Sequence, residues 1–363
     1  MQYTRLGNTG LIVSRLAFGV MTFGHDEGQM GAVWKTGQEE ANALVQRSLD
    51  AGINFFDTAD GYAGGQSEVM LGKALGARRK DVVLSTKIGF RTGTQITQSG
   101  GSMRHILNSA EQCLKRLGTD YIDLLSVHRF DAYTPFEETA RALENLVNRG
   151  LVRYVGFSNF TAWQAAKFLA IQKARGYAPL IAAQMYYSLV GRDLEHEIVP
   201  FCVDAGIGIV VWSPLASGFL SGRYTRQDPT GGKGRLSEFD ILHIDKEKGY
   251  DLIEKMRAMA GRHKATVAQI ALAWLLAKPY VSTILLGASK LSQLEDNLGA
   301  AKIALSTEEV SELDAFTAPT PLYPNWFRTF ATDAVVRDAL EIARKPGGDS
   351  WLRPALIKKT SRK

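Results

Sequence analysis

Short apolar runs alternate with amphipathic segments along most of this chain. The runs are RLAFG (15–19), INFFDTA (53–59), VVLSTK (82–87), YIDLLSVH (121–128), YVGFSN (154–159), IAAQMYY (181–187), IGIVVWSP (207–214) and STILLGA (282–288). Continuous rather than alternating apolar runs predict strands buried on both faces, as in a parallel sheet. Between them, Met103, Ile106, Leu107, Ala110, Leu114 and Leu117 fall on one face of a helical period, and Gly118 is placed to end that helix. Thr134, Pro135 and Glu137 predict another helix start, with Thr134 as N-cap and Glu137 completing a capping box; Ser306 and Glu309 predict a second such box.

Eight strand–helix units in series predict an α/β fold, a (β/α)8 TIM barrel, with a doubly wound sheet plus an appended domain as the competing architecture. A length of 363 residues suits either one large barrel or two average domains. The additions fit the barrel. QYTRLGNTGLIVS reads as an N-terminal β-hairpin capping the bottom, with GNTG at the turn. Residues 218–247, after the seventh run, form one long irregular insertion, a candidate lid. Residues 1–320 are therefore read as a single barrel, and 321–363 as a C-terminal extension whose basic end is expected to be mobile.

Charge changes this picture little. Seven Lys/Arg against one Asp in residues 344–363 account for the whole formal charge of +6, leaving a neutral body. A basic tail without interleaved aromatics is not a nucleic-acid footprint, so no nucleic-acid partner is expected. Cys113 and Cys202 fall on separate helices and read as small buried hydrophobes of a reduced, cytoplasmic protein. Neither their spacing nor their neighbours suggest a metal site. MQYTRLGNTG lacks the apolar core of a signal peptide, and no apolar stretch is long enough to span a bilayer, so no membrane partner is expected.

In a barrel the C-terminal ends of the strands share one rim, where reactive side chains gather. Those ends carry Asp57, Lys87, His128, Ser158 with Asn159, Gln184 and Trp212. One polar residue at a strand end is commonly a cap or a solvent contact. Ionisable residues ending three consecutive strands are harder to set aside, and Tyr62 follows the first of them by five residues.

All but Gln184 sit in the motifs DTADGY…GQSE…LG (57–72), VVLSTK, DLLSVH, GFSNF (156–160) and WSPLASGFLSG (212–222), and GASKLSQLEDN (287–297) completes the set. In that order they resemble the aldo-keto reductase family over roughly residues 1–320, and the long insertion resembles the branch containing microbial reductases and potassium-channel β subunits. The resemblance implies NADPH-dependent, reversible reduction of aldehydes or ketones, with Tyr62 as proton donor. A phenol with a pKa near ~10 is a sluggish acid at neutral pH, and a nearby ammonium favours its phenolate. Lys87 would supply that ammonium, Asp57 would hold it charged, and His128 would bind the substrate oxygen.

By the same resemblance, Ser158, Asn159 and Gln184 face the nicotinamide carboxamide and Trp212 lies against the ring. Ser213, Pro214, Leu215 and Ala216 approach the pyrophosphate, and Arg235 clamps it. Val20, Met21 and Asp57 also line the cofactor site, and Gly287, Ser289, Gln293, Asp296 and Asn297 surround its adenosine end. Lys290 is placed to reach a 2′-phosphate, which favours NADP(H) over NAD(H). Two departures stand out: Arg129-Phe130 after His128, and Ala63 where the family commonly has glycine. Phe23, His25, Trp34, Arg129, Phe130 and Phe160 are expected to shape a roomy apolar substrate pocket suited to bulky carbonyls such as terpenoid or mycotoxin-like ketones. His105, His196, His243 and His263 are expected to be solvated. Two other readings compete: a regulatory subunit that binds cofactor without turnover, and a Schiff-base aldolase using Lys87. The expected partner is a small carbonyl substrate, with the protein a monomer or homo-oligomer.

Overall fold

The computed structural model describes residues 1–25, 33–232, 236, 240–327, 333, 335 and 336. The chain opens with an antiparallel hairpin, β1 (Tyr3–Arg5) against β2 (Ile12–Ser14), whose turn is closed by Leu6 N–H donating to Leu11 O at 2.8 Å. β3 (Leu16–Gly19) follows, then a two-strand ribbon of β4 (Gly24–His25) and β5 (Lys35–Thr36). The remaining strands are β6 (Phe55–Asp57), β7 (Val83–Ile88), β8 (Ile122–Val127), β9 (Val152–Ser158), β10 (Leu180–Tyr186), β11 (Gly208–Trp212) and β12 (Val281–Leu286).

β3 and β6 to β12 are parallel, pair in chain order, and close where β12 meets β3. Each of the eight apolar runs lies on one of these strands, so the barrel reading holds and the doubly wound sheet does not. Helices Gln38–Asp50, Gln66–Leu75, Met103–Leu117, Phe136–Asn148, Ala162–Arg175, Ile198–Ala205 and Val267–Leu276 connect successive strands. Lys246–His263 is added after β11, and Leu291–Leu298 and Thr307–Phe316 follow β12.

Side chains alternate along each strand, so one set points into the barrel. Its lower inner layer is Ala17, Phe55, Val83, Leu124, Ala182, Val210 and Leu285, sealed from below by Leu6 and Val13 of the hairpin. The fit there is close: a Cβ on Gly7 would lie 2.6 Å from Gly206 O. Two residues further up β6, β7, β8 and β10, the inward positions become Asp57, Ser85, Ser126 and Gln184. The change from apolar to polar follows from the strand period, because a residue two positions beyond a core residue keeps the core's direction.

The helix ends largely follow the sequence signals. Gly118 ends Met103–Leu117 at φ +63°, and Ser306 with Glu309 forms its capping box. The box expected at Thr134 and Glu137 is corrected. The Thr134 hydroxyl donates instead to Asp131 Oδ2 at 2.7 Å, and the helix starts one residue later, with Pro135 at the N-cap. His105, expected in solvent, is buried with Nε2 3.2 Å from Phe90 O. His263 is 2.8 Å from Glu309. Among the described residues no helix is long and apolar enough to cross a membrane.

Candidate active site

The rim at the C-terminal ends of the strands is organised around a buried ion pair. Asp57 ends β6 directly opposite Ser85 of β7, and Lys87 lies two residues beyond Ser85 on the same inward face. Lys87 Nζ is 2.5 Å from Asp57 Oδ2 and 2.5 Å from Thr58 O, with side-chain exposures of 1% for Lys87 and 3% for Asp57. The other carboxylate oxygen, Oδ1, accepts from Ser85 Oγ at 2.8 Å and from Gln184 Nε2 at 2.9 Å. Burial works against the Lys87 charge, but Asp57 and the Tyr62 hydroxyl outweigh it, and the ammonium is held above its ordinary range.

Tyr62 is carried over this pair by the loop after β6. Its ring centroid lies 5.0 Å from Lys87 Nζ and 5.8 Å from the His128 ring, which it meets edge-on. The loop turns sharply at Ala63, Gly64 and Gly65, with φ +48°, +61° and +92°. Ala63 thus occupies the left-handed region that favours the glycine it replaces. His128 follows β8, buried, with Phe90 4.4 Å away centroid to centroid. Burial, then the charges of Lys87 and Arg129, hold its imidazole well below the usual range, so it is neutral at physiological pH. A neutral imidazole can donate one hydrogen bond to a carbonyl oxygen.

A second polar group lies across the barrel mouth. Asn159, at φ +56°, donates from Nδ2 to His128 O at 3.0 Å and to Ser158 Oγ at 2.9 Å, and accepts from Trp212 Nε1 at 3.1 Å. Ser158 Oγ donates to Gln184 O at 2.8 Å. Trp212 packs on Tyr186, ring centroids 5.2 Å apart. Beyond Trp212 runs a cleft of about 280 Å³. It gathers Ser213, Pro214 and Leu215 on one wall with Gly287, Ser289, Gln293, Asp296 and Asn297 on the other. Val20 is buried, and its N–H donates to Asp57 O at 2.9 Å; Met21 is half-buried beside it. Ala216 is buried behind the cleft wall, and Lys290 is exposed at the N-cap of Leu291–Leu298. Arg235 lies outside the described residues.

The expected pocket aromatics are not gathered at the mouth. Phe160 is buried among Phe157, Phe130 and Phe168, and Phe130 leans on Phe136 and Trp163 between two helices. Phe23 is fully buried against Phe18. His25 is exposed, and Trp34 is half-buried with a buried indole N–H that has no hydrogen-bond partner among the described residues. Arg129 remains near the site, its guanidinium 5.3 Å over the Phe90 ring.

Several residues of the site carried no clear sequence signal. Phe90 follows the Lys87 strand end closely and was detectable only by that adjacency. Ser85 was legible as a polar residue inside an apolar run, at the inward parity of Lys87. Lys35 and Arg223 line the cleft, and the Lys35 N–H donates to O of Thr22, itself a lining residue, at 3.2 Å. Among the described residues, no group of three or more His, Cys, Asp or Glu is placed to hold a metal ion.

Comparison with known proteins agrees with this geometry. The model of the aldo/keto reductase family matches residues 15–318. Versiconal hemiacetal acetate reductase of Aspergillus parasiticus is 33% identical over 351 residues, covering 89% of this chain and 99% of that protein. A probable voltage-gated potassium channel subunit beta of Oryza sativa subsp. japonica is 36% identical over 332 residues, covering 88% and 98%. The uncharacterized oxidoreductase YrpG of Bacillus subtilis (strain 168) is 36% identical over 331 residues, covering 88% and 97%. A closed eight-stranded parallel barrel with a buried Asp–Lys pair, a tyrosine and a histidine on one rim, matched along nearly its whole length, belongs to the aldo/keto reductase family of oxidoreductases.

Proposed function

We propose that this protein reduces aldehyde or ketone carbonyls to alcohols with NADPH, reversibly, using Tyr62 as the proton donor. One observation carries the reading. A buried ammonium, locked by Asp57, sits beneath the Tyr62 phenol and beside a neutral His128. A carbonyl oxygen placed between Tyr62 and His128 meets two hydrogen-bond donors where negative charge develops. Tyr62 passes its proton to that oxygen, and the Lys87 ammonium stabilises the phenolate left behind. Asp57 keeps Lys87 charged, and Ser85 and Gln184 keep Asp57 oriented.

The residues fit a nicotinamide dinucleotide. Asn159, Ser158 and Gln184 offer amide and hydroxyl groups of both kinds, and Trp212 offers a flat face. The cleft beyond Trp212 has room for an extended group, and Lys35 and Arg223 on its walls suit phosphates. When bound, the nicotinamide supplies the hydride. Lys290, beside Ser289 at a helix start, supports a preference for the 2′-phosphorylated cofactor. Phe90, Tyr186 and Trp212 around the mouth suit bulky apolar carbonyls. The name of the Aspergillus relative points to a hemiacetal acetate substrate, in line with a large ligand.

An aldolase reading fails on Lys87. Schiff-base chemistry needs a neutral amine, and this lysine is paired with Asp57 and held protonated. The test of the reductase reading is Tyr62→Phe. It binds NADPH as the wild type does, followed by quenching of cofactor fluorescence, and loses roughly 10²–10⁴-fold in carbonyl reduction. Unchanged turnover refutes the assignment, and tight cofactor binding with no turnover by the wild type on aldehydes, quinones and cyclic ketones favours a regulatory role.

A further inference from the structure

Behind the loop that carries Tyr62 lies a cluster of charge that the reaction does not use. Asp60 is 2% exposed and Glu68 0%, and both face the guanidinium of Arg116. Arg116 Nε is 2.6 Å from Glu68 Oε2, and Glu68 Oε1 accepts from Thr86 Oγ1 at 2.7 Å. Glu68 is therefore satisfied. Among the described residues no group places a well-formed hydrogen bond on either oxygen of Asp60, although the Gly61 and Gly89 amides lie close to it. Two carboxylates and one guanidinium leave an excess negative charge in a buried space, unless one carboxyl carries a proton.

The cluster is built into the catalytic loop. Asp60 N–H donates to Lys87 O at 2.9 Å, joining the Asp60 backbone to the strand that bears the ammonium. Tyr62 N–H donates to Ala59 O at 3.2 Å, so Asp60 lies inside the turn that aims the phenol. On the far side the Arg116 side chain lies against Gly65, where an added Cβ would meet Arg116 Cδ at 2.6 Å. Gly65, the last of the three left-handed residues, thus packs directly on the Arg116 side chain.

We propose that Asp60 is a positioning residue: it holds a buried proton that balances the Glu68–Arg116 pair and so fixes the loop that presents Tyr62. This rests on the carbonyl-reductase reading for its kinetic consequence, though not for the proton itself. The groups facing Asp60 are Glu68 from Gln66–Leu75, Arg116 and Cys113 from Met103–Leu117, and the backbone amides of Gly61 and Gly89. Burial, then the Glu68 charge, push the Asp60 carboxyl up to about 7, against the pull of Arg116 and the two amides. Above neutrality the proton leaves, the excess charge returns, and the loop loosens.

The test compares the full-length wild type, Asp60→Asn and Glu68→Gln, from about pH 5.5 to about pH 9. One readout is kcat for para-nitrobenzaldehyde with saturating NADPH. The other is amide hydrogen exchange of the segment 58–68, corrected for the intrinsic pH dependence. In the wild type, kcat falls about tenfold and loop protection is lost together as the pH passes neutrality. Asp60→Asn, which mimics the protonated acid, keeps the acid-side kcat and the protection throughout. Glu68→Gln leaves one carboxylate facing one guanidinium, so ionised Asp60 pairs with Arg116, no excess charge returns, and loop protection persists as the pH passes neutrality. Identical wild-type and Asp60→Asn profiles in exchange overturn the proposal, as does an exchange profile in Glu68→Gln that loses protection as the wild type does. A wild type without turnover sinks the reductase reading, while the exchange comparison still decides whether Asp60 governs the loop.

Discussion

Replacing Lys87 with methionine strands a buried carboxylate, and the size of the effect can be worked out. The variant loses the contacts to Asp57 and Thr58 O and leaves Asp57, 3% exposed, with two donors, Ser85 Oγ at 2.8 Å and Gln184 Nε2 at 2.9 Å. Breaking a buried pair by removing one partner costs about 3–5 kcal/mol. There is an upper bound, because the stranded acid can take up a proton. For a carboxyl with an ordinary pKa of ~3.9 that escape costs about 4 kcal/mol at pH 7 and about 1.5 kcal/mol at pH 5. Lys87→Met is therefore destabilised by about 3–4 kcal/mol at neutral pH, shrinking to about 1.5 kcal/mol at pH 5. Adding Asp57→Asn removes the charge and recovers most of the loss, while neither variant reduces carbonyls. Urea unfolding followed by tryptophan fluorescence at the two pH values measures both effects. A penalty that is the same at both, or that the second substitution does not relieve, refutes the idea that this pair is one desolvated unit.

Other expectations follow from the same geometry. Between the ordinary Asp value of 3.8 and about 7, the folded protein binds the Asp60 proton and the unfolded chain does not, so wild-type stability falls as pH rises through that window. Asp60→Asn lacks this term, and the two proteins diverge by about 2–3 kcal/mol between pH 5 and pH 8.5 in chemical denaturation; parallel pH dependences argue against a buried protonated acid. Gly156→Ala puts a Cβ 2.9 Å from both Ala182 O and Ser126 Oγ inside the barrel and lowers stability by about 1–3 kcal/mol, which thermal unfolding reads. Lys290→Met raises KM for NADPH about tenfold and leaves that for NADH unchanged, and equal effects on both remove Lys290 from the 2′-phosphate site. Ala63→Gly relieves a left-handed alanine and raises the unfolding midpoint slightly, by up to about 1 kcal/mol; a clear loss shows that the Ala63 methyl packing matters more than the strain.

Much of this arrangement is legible in sequence because a parallel barrel strand is buried on both faces. Its apolar run then marks the strand, and the polar or ionisable residue toward the C-terminal end of the run marks the rim, which placed Asp57, Lys87, His128 and Gln184 there. What escaped had other causes. Phe130 and Phe160 leave the rim close to His128 and Ser158, but proximity in chain says nothing of side-chain direction, and both turn back between helices. Lys35 is brought to the cleft by two-residue strands too short to show a period. His105 looked like one polar residue on a helix, and only the Phe90 carbonyl in the neighbouring loop explains its burial. Thr134 and Glu137 had the right spacing for a capping box, yet Asp131 nearby captured the Thr134 hydroxyl.

The seam between β12 and β3 has a consequence for how the chain is made. Ile284, Leu285 and Leu286 pair with Leu16, Ala17 and Phe18, and Thr283 Oγ1 donates to Ser14 O across a separation of 269 residues. On the ribosome, then, an early strand waits with one edge unpaired until nearly the last barrel element has emerged. Such an edge is a template for pairing with other nascent chains. Slow elongation or truncation shortly before residue 281 prolongs that exposure, making the interval before ring closure the stage of greatest aggregation hazard and chaperone need.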